Sequence, residues 1–193
     1  MLKVLIVLFC LGLLSCSSSA PAPKPVNEKD EKIEMGFRFL PPQGKDWSVF
    51  NTMGFKGYSY AKKLPSVDPK NHSVIFSVIY GFMEQDIKNA DEALQYAKSN
   101  KEAQLRNGRF VMKKNANKII SYKGTKCLEY DSMVLDKMTS QNMTYNGMFC
   151  THPQDFKRYV DISHSQRFDV NRTKIAIPAE EYQFLKSVEF IKL

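Results

Sequence analysis

The chain has 193 residues, 43% of them hydrophobic and 12% aromatic, which excludes wholesale disorder and supplies material for one core. Lys and Arg number 28 against 20 Asp and Glu, a net charge of +8. The lysines are spread along the chain, and pairs such as Lys62-Lys63 and Lys113-Lys114 are too short for a nucleic-acid stripe, so the charge argues for a solvated lysine surface or attraction to anionic material.

Lys3 supplies a positive start, and Val4 to Leu14 follow as an apolar run. The run is shorter than the roughly 20 residues that span a bilayer, and has the length of a signal core. Leu13-Leu14-Ser15-Cys16 then resembles a lipobox, the site read by lipoprotein signal peptidase. The resemblance implies that residues 1–15 are a cleaved signal peptide. It also implies that the Cys16 thiol carries a diacylglycerol as a thioether, and that the new amino group is acylated, typically with palmitate. Two or more chains anchor stably where one does not. The alternative is an ordinary secretory signal cut elsewhere, with Cys16 incidental. Ser17 stands where an aspartate would resemble an inner-membrane retention signal, so the expected address is the cell envelope, at the outer membrane facing the periplasm. Export also argues against a nucleic-acid partner.

Residues 16–34 read as a lipidated start and a flexible linker, from Ser17-Ser18-Ser19-Ala20-Pro21 into a charged stretch ending at Glu34. About 19 residues of this kind reach roughly 60 Å at full stretch. A single globular α+β domain is expected over 35–193.

Within it, Phe37 to Leu40 alternates as a short strand stopped by Pro41-Pro42-Gln43-Gly44. Trp47 to Phe50 and Gly57 to Ala61 read as further strands. Ser73 to Phe82, rich in β-branched and aromatic residues, reads as a central strand. Asn89 three residues before Glu92 predicts a capped helix with an apolar stripe of Ala90, Ala93, Leu94, Ala97 and Leu105, ending at Asn107-Gly108. Arg109 to Lys113, Lys118 to Lys123 and Tyr159 to Arg167 read as strands. Pro178 opens a second helix with Tyr182 and Leu185 on one face, followed by a last strand from Val188 to Ile191.

The chain without its signal carries two cysteines besides Cys16, namely Cys127 and Cys150, an even count in an oxidising compartment. If the two face each other on antiparallel strands, the turn centres on Met138-Thr139, inside a polar stretch. The same register pairs Leu128 with Phe149 and gathers Tyr130 and Tyr145 on that face, so one register explains both a disulfide and an apolar face. The alternative is a nucleophilic thiol with His152 two residues after Cys150. Nearness in sequence makes no catalytic dyad, and a thiol with a partner in reach oxidises.

The sequence holds no Gly-x-Ser-x-Gly, no His-Glu-x-x-His, no phosphate-binding glycine loop and no Cys-x-x-Cys. His152 and His164 could meet across neighbouring strands and bind a metal with Asp155 or Asp161, though such histidines more often serve hydrogen bonds. Ser163-His164-Ser165 alternates across a strand, which spoils a triad. Asp68 and Asp86 have no visible acid-base partner. No catalytic residue, no metal ligand set and no cofactor is expected.

Phe37-Arg38-Phe39-Leu40-Pro41-Pro42-Gln43-Gly44 with Trp47, the single mid-chain helix from Asn89, Tyr122-Lys123-Gly124 entering a long strand, and Phe184 to Phe190 at the end form one pattern. It resembles the PsbP-like fold, which includes LpqN-type lipoproteins. Cys127, Cys150 and the stretch Phe149 to Pro153 are not part of that pattern. The resemblance implies an α+β domain with an antiparallel sheet between helical layers, an α/β/α sandwich. It also implies non-enzymatic work: an accessory, protein-interaction module held on the membrane by Cys16 and binding an envelope protein. The alternative is a carrier of a small or lipidic ligand in a pocket between sheet and helix, lined by Tyr58, Tyr60, Phe76 and Tyr80. An unrecognised hydrolase would need a clustered nucleophile, base and oxyanion site.

Overall fold

The computed structural model describes residues 24–51, 56–64, 72–106 and 108–193. The signal segment, Cys16, Asp68 and Asn107 lie outside the described residues.

The main sheet is antiparallel. In chain order its strands are β1 (Lys24–Pro25), β4 (Trp47–Asn51), β5 (Gly57–Lys62), β6 (His72–Phe82), β7 (Phe110–Tyr122), β8 (Thr125–Asp136), β9 (Gln141–His152) and β10 (Asp155–Asp169). They lie side by side in the order β1-β4-β5-β6-β10-β9-β8-β7. A small sheet holds β2 (Lys32–Glu34), β3 (Phe37–Phe39) and β11 (Glu189–Phe190) in the order β11-β3-β2. Two helices complete the described chain, α1 (Ala90–Leu105) and α2 (Pro178–Lys186).

The period-two pattern of the long strands divides the sheet into two faces. On β6, His72, Val74, Phe76 and Val78 are buried on one face. They pack with Trp47, Tyr60, Cys127, Met148, Cys150, Val160 and Ile162 beneath Phe184 of α2 and Phe37 and Phe39 of the small sheet. The other face carries Leu128 and Phe149, which pack against Ala93, Leu94 and Ala97 of α1 and against Met83 and Ile87 before it. Each face thus receives one helix, and on the first face α2 shares the covering with the small sheet.

Local chemistry explains the helix ends. Asn89 accepts the backbone N–H of Glu92 at 3.0 Å, while Glu92 accepts that of Lys88 at 2.9 Å. Asp91 and Glu92 sit in the positive first turn. Pro178 opens α2, and Glu180 ties its first turn to β5 through Lys62 at 2.6 Å, with the Lys62 ammonium 5.0 Å over the Trp47 ring.

Three expectations need correction. The linker expected over 16–34 ends sooner, because Lys24 pairs with Val49, Pro25 with Ser48, and Lys32–Glu34 with β3. These pieces need no core of their own, since a ready strand edge satisfies their backbone groups. The stretches Arg109 to Lys113 and Lys118 to Lys123 are one strand, β7, whose register shifts between Met112 and Lys114. Finally, Tyr182 is 66% exposed, and it is Phe184, 1% exposed, that anchors α2. Burying a side chain of that size stabilises by roughly 1.5–3 kcal/mol.

Candidate functional site: a cleft between helix α1 and the sheet

β8 and β9 pair in the constant-sum register, with Cys127 opposite Cys150, Leu128 opposite Phe149 and Ser132 opposite Tyr145. Cys127 and Cys150 are joined by a disulfide and fully buried on the α2 face. The bond occupies both sulfurs. His152 is elsewhere engaged, its Nδ1 accepting the Gln154 N–H at 3.1 Å and its Nε2 donating to the Ile191 carbonyl at 3.0 Å.

The histidines do not converge. His164 is opposite Asn146 on β9, six positions along that strand from His152, roughly 20 Å at strand rise. His164 instead shares the Gln166 amide with His72, each at 3.2 Å, and lies 3.1 Å from Glu181. That contact holds the Glu181 carboxyl below its ordinary range. Gln166 also bonds both backbone groups of Ile175, at 2.8 and 2.9 Å, which pins the segment entering α2. Among the described residues no group of three or more His, Cys, Asp or Glu could hold a metal ion. Asp86 is exposed, its nearest cation Lys157 at 3.8 Å.

Tyr58, Tyr60, Phe76 and Tyr80 do share one face, but as filled core. Phe76 stacks on Phe184 at 4.6 Å and lies 4.5 Å from Trp47, and Tyr60 meets Phe184 edge-on at 6.0 Å. Tyr58 donates its hydroxyl to Glu34 at 2.9 Å and packs on Phe39. At Tyr60 and Phe76 the room expected for a ligand is taken by Trp47 and Phe184.

A cleft of about 450 Å³ opens on the opposite face instead, between α1 and the neighbouring strands β6 and β10. Ile79, Phe82, Met83, Tyr96, Phe149 and Tyr159 give it an apolar and aromatic wall. Phe149 and Tyr159 stack at 5.2 Å, and Phe82 stands 52% exposed at the strand end with the Arg158 guanidinium 5.0 Å over its ring.

The polar end of the cleft is a built arrangement. Asp161 accepts from Lys101 Nζ at 2.6 Å and from Tyr130 Oη at 2.7 Å, and the Lys101 ammonium lies 3.8 Å over the Tyr130 ring. Tyr130 stands on β8 and Asp161 on β10, with β9 between them. The phenol can cross because residue 147 is glycine. A Cβ there would lie 2.4 Å from Tyr130 Oη and 2.5 Å from the Ile162 carbonyl oxygen. Burial and the Asp161 carboxylate push the Tyr130 phenol well up, so it remains a donor at any working pH. Burial and the same carboxylate also raise Tyr159.

The expectations from sequence held neither the cleft nor this triad of Lys101, Tyr130 and Asp161. A glycine inside an otherwise well-formed strand is the signal that could have marked it, since such a residue often signals close approach of another group. A second cleft of about 410 Å³ lies between α2 and β7 to β9. Of its carboxylates, Asp131 pairs with Lys114 and Glu181 contacts His164.

The α+β architecture, with one helix on each face of an eight-stranded antiparallel sheet, is the LpqN-type fold. The structure is similar to that of LpqN from Mycobacterium tuberculosis, a protein involved in cell envelope biogenesis. The TM-score is 0.58 at 12% sequence identity, over 89% of this chain and 91% of that one. No protein-family model matches the chain, and no curated protein matches it. Among the described residues no helix is long and apolar enough to cross a membrane.

Proposed function

We propose that this chain is an envelope lipoprotein, anchored through lipid on Cys16, that works as an accessory binding module rather than an enzyme. In this reading the α1 cleft is where an envelope protein partner docks. The observation that carries it is the contrast between the two faces. On the α2 face Phe76 and Phe184 fill the core and the cleft beside α2 is lined mainly by polar and charged residues such as Asn117, Lys118, Glu129 and Asp131, whereas the α1 face opens an aromatic cleft beside the exposed Phe82. Aromatic side chains around a concave site are what protein interfaces use as anchors. LpqN, with the same fold, is described as involved in cell envelope biogenesis, which is consistent with an accessory role here.

Lys24 already lies in β1, so seven residues, 17 to 23, and eight Cα–Cα steps separate it from Cys16. Such a tether reaches at most about 28 Å, and holds the domain close to the bilayer. The outer membrane, facing the periplasm, is the proposed site.

A carrier role has one observation in its favour. The cleft volume falls within the roughly 300–1,000 Å³ of small-molecule sites, and its polar end would orient a ligand.

Fractionation of cells carrying Cys16→Ala tests the anchor: the variant is expected to leave the membrane or remain unprocessed. Phe82→Asp tests the docking site. It is expected to fold normally, because Phe82 is 52% exposed, and to lose co-purification of the envelope partner that the unaltered lipoprotein retains. Full membrane retention with normal processing of the first variant would refute the anchor, and unchanged partner recovery with the second would refute the cleft.

A further inference from the structure

We infer that the tip of the β8–β9 hairpin, with the turn that follows β10, is a docking surface for an anionic lipid bilayer. Asp136, Gln141 and Asp169 are register partners, so the segments that follow Asp136 and Asp169 emerge at one end of the sheet. Met138, at the hairpin tip, is 77% exposed, and Val170, just past β10, is 44% exposed. Two strand spacings, roughly 10 Å, separate their strands.

Both apolar side chains sit on turns held by hydrogen bonds. The Asp136 carboxylate accepts the Met138 N–H at 3.0 Å and grips the Arg109 guanidinium, and the Lys137 N–H bonds the Arg109 carbonyl at 3.0 Å. Asp169 accepts the Asn171 N–H at 2.8 Å, and its carbonyl accepts the Arg172 N–H at 3.0 Å. The chain therefore holds Met138 and Val170 outward instead of folding them onto the core.

Cations ring these tips. Arg109 and Lys137 flank the hairpin and Arg172 lies in the second turn, with Arg106 three residues before Arg109 and Lys174 two after Arg172, against Glu102, Asp136 and Asp169. Each acid has a local role: Glu102 faces Arg106 at 3.7 Å, Asp136 binds Arg109, and Asp169 caps its turn. Among the described residues Lys137 and Arg172 have no acidic partner. Exposed apolar tips in a collar where cations outnumber acids suit the headgroup region of an anionic bilayer, where the apolar groups enter the interface and Lys137 and Arg172 meet phosphates. A neutral surface would use only half of this arrangement.

The end is also within reach of the proposed anchor, a point that rests on the Cys16 reading. Lys24 is opposite Val49, two residues from Trp47, and the Trp47 end of β4 is the Asp136 end of the sheet. The surface itself requires no anchor, so its test omits the lipid.

The experiment uses the chain from residue 17 onward carrying Met138→Cys, labelled with an environment-sensitive dye, and a second preparation carrying Lys126→Cys at the opposite end of β8. Each is mixed at low salt with vesicles of phosphatidylcholine alone, or with about a third phosphatidylglycerol. The expected result is a blue shift and brightening at position 138 with anionic vesicles, reversed by salt, with little change at 126. Adding Lys137→Glu and Arg172→Glu should abolish it. No change at 138, an equal change at 126, or equal binding to neutral vesicles would overturn the inference. So would a protein crosslinked in cells from position 138 in place of lipid.

Discussion

The Tyr130 hydroxyl donates to Asp161 at 2.7 Å across an intervening strand, and it can do so because residue 147 has no side chain. Gly147→Ala sets a methyl against both the phenol and the Ile162 carbonyl. Overpacking of this kind costs about 1–3 kcal/mol, and here it should also displace Lys101 and Asp161. Urea denaturation checks the loss of stability, and the environment of Tyr130 in the near-ultraviolet checks its cause. A variant as stable as the unaltered chain would contradict the close approach.

Phe184 fills the α2 face. Phe184→Ala should cost about 3–5 kcal/mol, since the side chain is fully enclosed by Phe76 and Tyr60. If the space were instead a breathing ligand pocket, the loss would be far smaller. Equilibrium unfolding distinguishes the two.

The disulfide joins residues 23 apart, and loop-closure entropy assigns such a bridge about 3 kcal/mol. Protein isolated from the envelope should react with maleimide at neither Cys127 nor Cys150 until reduced, and reduction should lower the urea midpoint. Labelling of both before reduction would end the claim.

Acid should weaken the fold in a defined direction. Arg109 holds the Asp136 carboxyl far below its ordinary range, and His164 lowers Glu181. A carboxylate whose folded pKa is depressed contributes stability that is complete above its unfolded value and disappears as pH falls through the folded one. Stability should therefore be flat near neutrality and decline below about pH 4.5, the ordinary Glu value. Glu181→Gln should flatten the first part of that decline, measured as urea midpoints from pH 7 to 3. A decline that begins near pH 6, or one unchanged in the variant, would point to other groups.

The local features were legible because they are local. Asn89 and Glu92 mark a helix start whatever surrounds them, and a hairpin register follows once Cys127 is set against Cys150. Alternation also gathered Tyr58, Tyr60, Phe76 and Tyr80 on one face. It could not reveal what covers that face, because Trp47 comes from β4 and Phe184 from α2. The cleft was hidden for the same reason. It exists because β10 pairs with both β6 and β9, which brings Asp161 beside Tyr130 and Lys101. Strands β1 and β2 were missed because two or three residues among Pro and Lys carry no period of their own.

Phe82 stands exposed at the edge of the α1 cleft, where the envelope partner is proposed to dock. The most direct measurement places a photo-crosslinking amino acid at position 82 of the full chain in living cells, with position 126 as control. Crosslinked species are then identified by mass spectrometry. One dominant envelope protein should be captured from 82, not from 126, and lost when Tyr159→Ala disturbs the cleft wall. Capture that is equal from both positions, or no protein captured from 82, would contradict docking at the cleft.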